Sequence, residues 1–127
     1  MDKNSNNINW FQIPANNLER AKKFYEAIFA IEMPTDEMLK EKMAFFPAEP
    51  GNGKACGCLI ESSSHKPGTE GVVLYLNANP DLSPVLARVT AAGGKVILPK
   101  TQITAEIGYK AVFEDTEGNK LALHSQN

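Results

Sequence analysis

The chain of 127 residues has no long hydrophobic run, no block of like charge and very little cysteine. Each shortage removes a class of protein. Its longest unbroken aliphatic or aromatic stretches, Val72 to Leu76 and the equally long Ala27 to Ile31, are far short of the roughly 20 apolar residues that a membrane helix needs. The segment Met1 to Asn7 is polar and is followed by no apolar segment of the kind a secretory signal carries. The reading is therefore no membrane partner and a cytoplasmic location. Lysine and arginine number 13 against 15 aspartates and glutamates, a formal charge of −2. Without a basic cluster there is no electrostatic footprint for a phosphate backbone, which argues against nucleic acid as a partner. The two cysteines, Cys56 and Cys58, stand two apart on an expected strand, where both side chains share a face but disulfide geometry is out of reach. They are expected to be free thiols in a reducing compartment.

What is present is a chain that is 43% hydrophobic and long enough for one core. Ile8 to Ile13 is rich in aromatic and β-branched residues and is expected to form a first strand ending at Pro14. Asn16 or Asn17 offers a helix N-cap, with Glu19 as a capping-box partner to Asn16. Leu18, Ala21, Phe24, Tyr25, Ile28 and Phe29 then recur at helical spacing, predicting a helix over about 17–30. The charged stretch 35–42 fits a weak strand, a helical turn or a loop. Met43 to Phe46 and Lys54 to Glu61 read as strands paired around a Pro-Gly-Asn-Gly turn.

The polar stretch Ser62 to Gly71 is punctuated by proline and glycine and marks a linker. Beyond it the plan restarts. Val72 to Leu76 is an expected strand, and either Asn79-Pro80 or Ser83-Pro84 opens a helix. Leu82, Val85, Leu86, Val89 and Ala92 supply its stripe and Gly93-Gly94 its stop. Lys95 to Leu98 is read as a strand ending at Pro99, and Gly108 to Glu114 leads into a closing hairpin on Glu117-Gly118-Asn119. The two halves match in order: Ala15-Asn16-Asn17-Leu18 with Ala78-Asn79-Pro80-Asp81-Leu82, Met33-Pro34 with Leu98-Pro99, and a Gly-Asn hairpin after each. The expectation is an α+β fold of two tandem βαβββ modules within one domain spanning 1–127. Module one covers about 8–62, the linker 62–71 and module two about 72–125. The modules are expected to form a curved, cup-like mixed sheet with the helices outside.

Several fragments carry a family likeness: Trp10-Phe11-Gln12-Ile13-Pro14, Arg20-Ala21 with Phe24-Tyr25, Gly93-Gly94-Lys95-Val96, and Glu114 through Asn119. In their order and spacing they resemble the vicinal oxygen chelate superfamily of glyoxalase I, extradiol dioxygenases and bleomycin-resistance proteins, and within it the lactoylglutathione-lyase-related branch. The resemblance implies a homodimer. It also implies that metal-dependent members hold a divalent ion with His, Glu or Gln from the strands of each module, the ion polarising substrate oxygens. Carried onto this chain, the four ligand positions fall on Ile8 or Trp10, on or near Cys56 or Cys58, on Val73, and on Ala122. None is His, Glu or Gln, so the expectation is no metal and no cofactor. Thr116 stands where the family turn has proline, and Ala30 where the first helix ends in glycine.

The expected function is binding of a small organic molecule in the cup, with catalytic residues unassigned and turnover left open. The alternative is a metal-dependent lyase, isomerase or dioxygenase-type enzyme acting on a small oxygenated substrate. Trp10, Gln12, Tyr75 and Asn77 are expected to share the cup surface. Cys56 and Cys58 are read as small packing residues there, against a soft-metal or nucleophilic role. His124 is either a partly exposed surface residue or a general base or substrate donor. Arg20 is read as structural, paired with a nearby acid, and Asp115 and Asn119 as satisfying the backbone of their own turn. Glu61 and His65 are read as solvated.

Overall fold

The computed structural model describes residues 1–38 and 41–127. In chain order its elements are β1 (Trp10–Pro14), α1 (Leu18–Phe29), β2 (Thr35–Met38), β3 (Glu41–Phe45), β4 (Cys56–Glu61), β5 (Tyr75–Asn77), α2 (Ser83–Val89), β6 (Lys95–Thr104), β7 (Gly108–Glu114) and β8 (Lys120–Ser125). The strands form two mixed four-stranded sheets, ordered β1-β4-β3-β2 and β5-β8-β7-β6. In each, the first and last strands of a module run parallel, which requires the intervening crossover helix, and the other neighbours are antiparallel. Two βαβββ modules are therefore present, as the repeat predicts. The stretch 35–42 contributes strand at both ends, while Leu39 and Lys40 lie outside the described residues.

Both modules share one core. Leu18, Ala21, Phe24, Tyr25 and Ile28 of α1 and Val85 and Val89 of α2 pack with Ile13, Ala44 and Leu59 of the first sheet and Leu76, Phe113, Leu121 and Leu123 of the second. Strand alternation therefore turns the other set of side chains away from the helices: Trp10, Gln12, Cys56 and Cys58 on one sheet, Tyr75, Asn77, Ala122 and His124 on the other. Close approach depends on two glycines. A Cβ on Gly57 would overlap the carbonyl oxygen and ring of Phe11 on the neighbouring strand, and one on Gly94 would stand 2.6 Å from the Phe24 ring and 2.7 Å from the Glu114 carbonyl.

Several boundaries differ from expectation for identifiable reasons. The apolar run Val72 to Leu76 yields strand only from Tyr75, because the parallel partner β8 meets it from Tyr75 to Asn77. Val72 is 96% exposed behind Gly71, whose φ is +97°. Pro99 does not end its strand. β6 runs on to Thr104, and the proline is tolerated because β6 is an edge strand with a register irregularity between Leu98 and Thr101. Pro14 likewise lies inside edge strand β1. Asn17 is the α1 cap, accepting from the Arg20 N–H at 3.0 Å. Glu19 is not a capping-box partner to Asn16, since Glu117 of the closing turn binds the Asn16 and Asn17 N–H groups at 2.9 and 2.8 Å. The helix ends on Ala30 at φ 54°, the left-handed position where glycine is favoured. At α2 the Ser83-Pro84 alternative holds, but Ser83 is the first helical residue and the preceding Leu82 makes no side-chain cap.

Candidate functional site

The site surrounds β5, the short edge strand of the second sheet. Leu76 turns into the core, so Tyr75 and Asn77 turn outward, with Tyr75 49% exposed. Two hollows meet this strand and share Tyr75, Leu76 and Asn77. One, of about 460 Å³, reaches toward the first module and is walled by Phe11, Phe29, Ile31, Phe46 and Cys56. The other, of about 470 Å³, lies over the second sheet and adds Asn79, Ile103, Ile107, Lys110 and His124. Both volumes fall in the range of cavities that bury small organic ligands, and apolar walls with few polar tips are the composition such sites use.

The seven residues singled out in the sequence distribute unevenly. Tyr75 and Asn77 stand at both hollows, Cys56 at the first and His124 at the second. Trp10 faces Phe45, ring centroids 6.1 Å apart, and lines a further hollow with Cys56. Gln12 lies beside Asn119 and Lys120 at a smaller hollow of about 280 Å³. Cys58 is fully enclosed among Met43, Ile60 and Phe45. Desolvation, with the nearby Glu41 charge, pushes its thiol up to about 11. His124 Nε2 lies 2.8 Å from the Ile107 carbonyl. Lys110, Ile103 and Ile107 were not singled out. Lys110 had a signal, because alternation in β7 sets it opposite Ala111 and beside His124.

The register refines where family-type metal ligands would stand. Trp10 pairs with Cys56 in the first sheet and Tyr75 pairs with Ala122 in the second. The third position thus falls on Tyr75 rather than Val73, which precedes β5. Ala122 is fully buried and its methyl group has no lone pair to offer. Among the described residues no three His, Cys, Asp or Glu side chains are placed to share an ion, and these four positions do not fit the family's donor set.

Away from the two hollows at β5, the closing turn ties the modules together. The Asp115 carboxylate accepts from the Tyr25 hydroxyl at 2.7 Å, from the Glu117 and Asn119 N–H groups at 2.8 and 2.9 Å, and from Asn119 Nδ2 at 3.0 Å. Asn119 Nδ2 also reaches the Pro14 carbonyl at 2.7 Å. Glu117, its side chain fully buried, accepts hydrogen bonds from Nε and Nη2 of Arg20. These residues are structural, as the sequence suggests, but their reach across modules exceeds their own turn. Glu61 is half-buried and 3.8 Å from Lys42, and His65 is exposed in the linker beside Ser64.

Comparison with known proteins agrees with this architecture. Residues 7–123 match the model of the Glyoxalase/Bleomycin resistance protein/Dioxygenase superfamily. A hypothetical protein from S. aureus superposes with a TM-score of 0.66 at 21% identity, covering 94% of each chain. A glyoxalase I mutant from Zea mays gives 0.70 at 18% identity, over 93% of this chain but 45% of that one. TnmS3, an antibiotic binding protein from Streptomyces sp. CB03234, gives 0.64 at 22% identity, over 96% and 97%. No curated protein matches at the sequence level. With two βαβββ modules and a match over nearly its whole length, the chain belongs to the Glyoxalase/Bleomycin resistance protein/Dioxygenase superfamily.

Proposed function

We propose that this protein binds a small organic molecule in the hollows beside β5 and that it does so without the divalent metal of the family's metalloenzymes. The observation that carries the reading is the pair of hollows, about 460 and 470 Å³, that share Tyr75, Leu76 and Asn77. Apolar walls favour burial of a ligand body, while Tyr75, Asn77 and His124 offer hydrogen-bonding tips. The alanine at position 122 supports the metal-free part. That TnmS3 is an antibiotic binding protein supports sequestration of a drug or metabolite over turnover.

A second copy of the chain is the proposed partner. Trp10, Tyr75, Ile103 and Ile107 are all exposed around open hollows, and a homodimer would wall them. The proposed location is the cytoplasm. Two free thiols suit a reducing compartment, and no helix among the described residues is long and apolar enough to cross a membrane.

The test is a melting-temperature screen of drugs and metabolites in EDTA, with Tyr75→Ala alongside. A hit that raises the melting point with EDTA present and loses its effect in the variant supports the reading. Hits that require added metal contradict it.

A further inference from the structure

We propose that the hollow over the second sheet takes the carboxylate of a small apolar acid, gripped by Lys110 and Asn77 on either side of His124. This rests on the small-molecule reading and assigns the ligand its charge. The register pairs Asn77 with His124 and His124 with Lys110, so the three stand in one row across β5, β8 and β7. In such a row neighbouring side chains are about 5 Å apart. All three line the same hollow, with Tyr75, Ile103 and Ile107 around them.

The row offers donors. The backbone N–H of Asn79 bonds to Asn77 Oδ1 at 3.0 Å, and Asn79 Nδ2 does so at 2.9 Å. A backbone N–H can only donate, so the oxygen end of Asn77 is fixed there and its Nδ2 hydrogens are the end that remains for a ligand. The Asn79 amide is fixed in turn, because its Oδ1 accepts from the Gln126 N–H at 2.8 Å. At His124, Nε2 faces the Ile107 carbonyl, which can only accept, so Nε2 carries a hydrogen. The ring is thereby held between Asn77 and Lys110 in the row. Lys110 makes no ion pair with a described residue.

The lining of this hollow contains no aspartate or glutamate. A protein of net charge −2 thus presents the Lys110 ammonium and the Asn77 Nδ2 hydrogens in one apolar recess. Charge-assisted hydrogen bonds are the strongest match for that set. A single lysine in the lining suits a monoanion rather than a phosphate dianion. Ile103 and Ile107, 37% and 50% exposed, are placed to cover an apolar body attached to it.

The experiment titrates the intact protein with 3-phenylpropanoate and octanoate, each against its neutral amide, following backbone NMR signals in wild type, Lys110→Met and Lys110→Gln. The expected result is that the acids move the Asn77, Lys110 and His124 signals and bind at least about tenfold more tightly than the amides. In both variants the acid-to-amide ratio falls toward one. Equal binding of acid and amide to wild type overturns the carboxylate assignment and leaves the small-molecule reading standing, as does an acid preference that survives in both variants. Absence of binding by acids and amides alike overturns both.

Discussion

Arg20 and Glu117, 97 residues apart, meet through two parallel hydrogen bonds, Nε to Oε2 at 2.7 Å and Nη2 to Oε1 at 3.0 Å. The same carboxylate binds the N–H groups of Asn16 and Asn17 at the start of α1. One side chain of module two therefore closes the N-terminus of the module-one helix, where backbone donors and the helix dipole favour negative charge.

Glu117→Gln keeps the size but sets an amide NH₂ against donors that need an acceptor. The expected loss is about 1–3 kcal/mol of unfolding free energy, read from a urea or thermal melt. Because none of these residues lines either hollow beside β5, ligand affinity measured well below the melting point should be unchanged.

Acid should weaken the same junction. Burial pushes the Glu117 carboxyl up, but hydrogen bonds from Arg20, Asn17 and Thr116, with the Arg20 charge, outweigh it and leave it below its ordinary 4.5. Asp81 is also lowered, to about 2, by hydrogen bonds from Ser83 and Lys100. A depressed carboxyl binds fewer protons folded than unfolded, so its contribution is present above the unfolded value and is lost as pH falls through the folded one. Melting points recorded from pH 6 to pH 2 should drop below about pH 4.5 in wild type. In Glu117→Gln the slope should be shallower.

Alkali acts on Tyr25. Complete burial, then the charge and hydrogen bond of Asp115, hold its hydroxyl well above the ordinary 10. A raised value means that stability is full below the unfolded pKa and declines as pH rises beyond it. The melting point should fall above about pH 10 in wild type but change less in Tyr25→Phe. At neutral pH that variant should cost about 1 kcal/mol for the lost hydrogen bond.

Gly57→Ala should be poorly tolerated, because the new methyl group coincides with the Phe11 carbonyl and ring. β1 must then move off β4, with a loss of about 1–3 kcal/mol. Amide exchange at Trp10 to Pro14 should speed up in that variant more than exchange in β7 and β8.

The two cysteines should differ in reactivity. Cys58 is fully buried and its thiol is pushed up to about 11, whereas Cys56 is only partly covered and lines the apolar hollow. Iodoacetamide at pH 8 should therefore label Cys56 first, as read by peptide mass analysis. A ligand seated in that hollow should slow the labelling.

Much of the fold is written locally. The Leu18 to Ile28 spacing, the glycines after α2 and the alternation of β8 each report a period or a turn, and each places its element correctly. Apolarity alone misleads at Val72 to Leu76, since a strand needs a ladder partner and the partner begins at Tyr75. Pro99 misleads for the converse reason: at an edge its missing N–H costs no ladder bond. The Glu117 cap lies about 100 residues from the helix that it closes, beyond any local window. At the site, alternation identifies which side chains leave the core, but the gathering of Tyr75, Asn77, Lys110 and His124 around one hollow depends on how three strands stand side by side.

The most direct measurement is backbone NMR mapping of a ligand drawn from the melting screen, in the presence of EDTA. The account predicts saturable shifts centred on Tyr75 to Asn77 and extending to Cys56 or to Lys110 and His124, with affinity unchanged by EDTA. Shifts gathered instead at the closing turn 115–119, or binding abolished by EDTA, would contradict it.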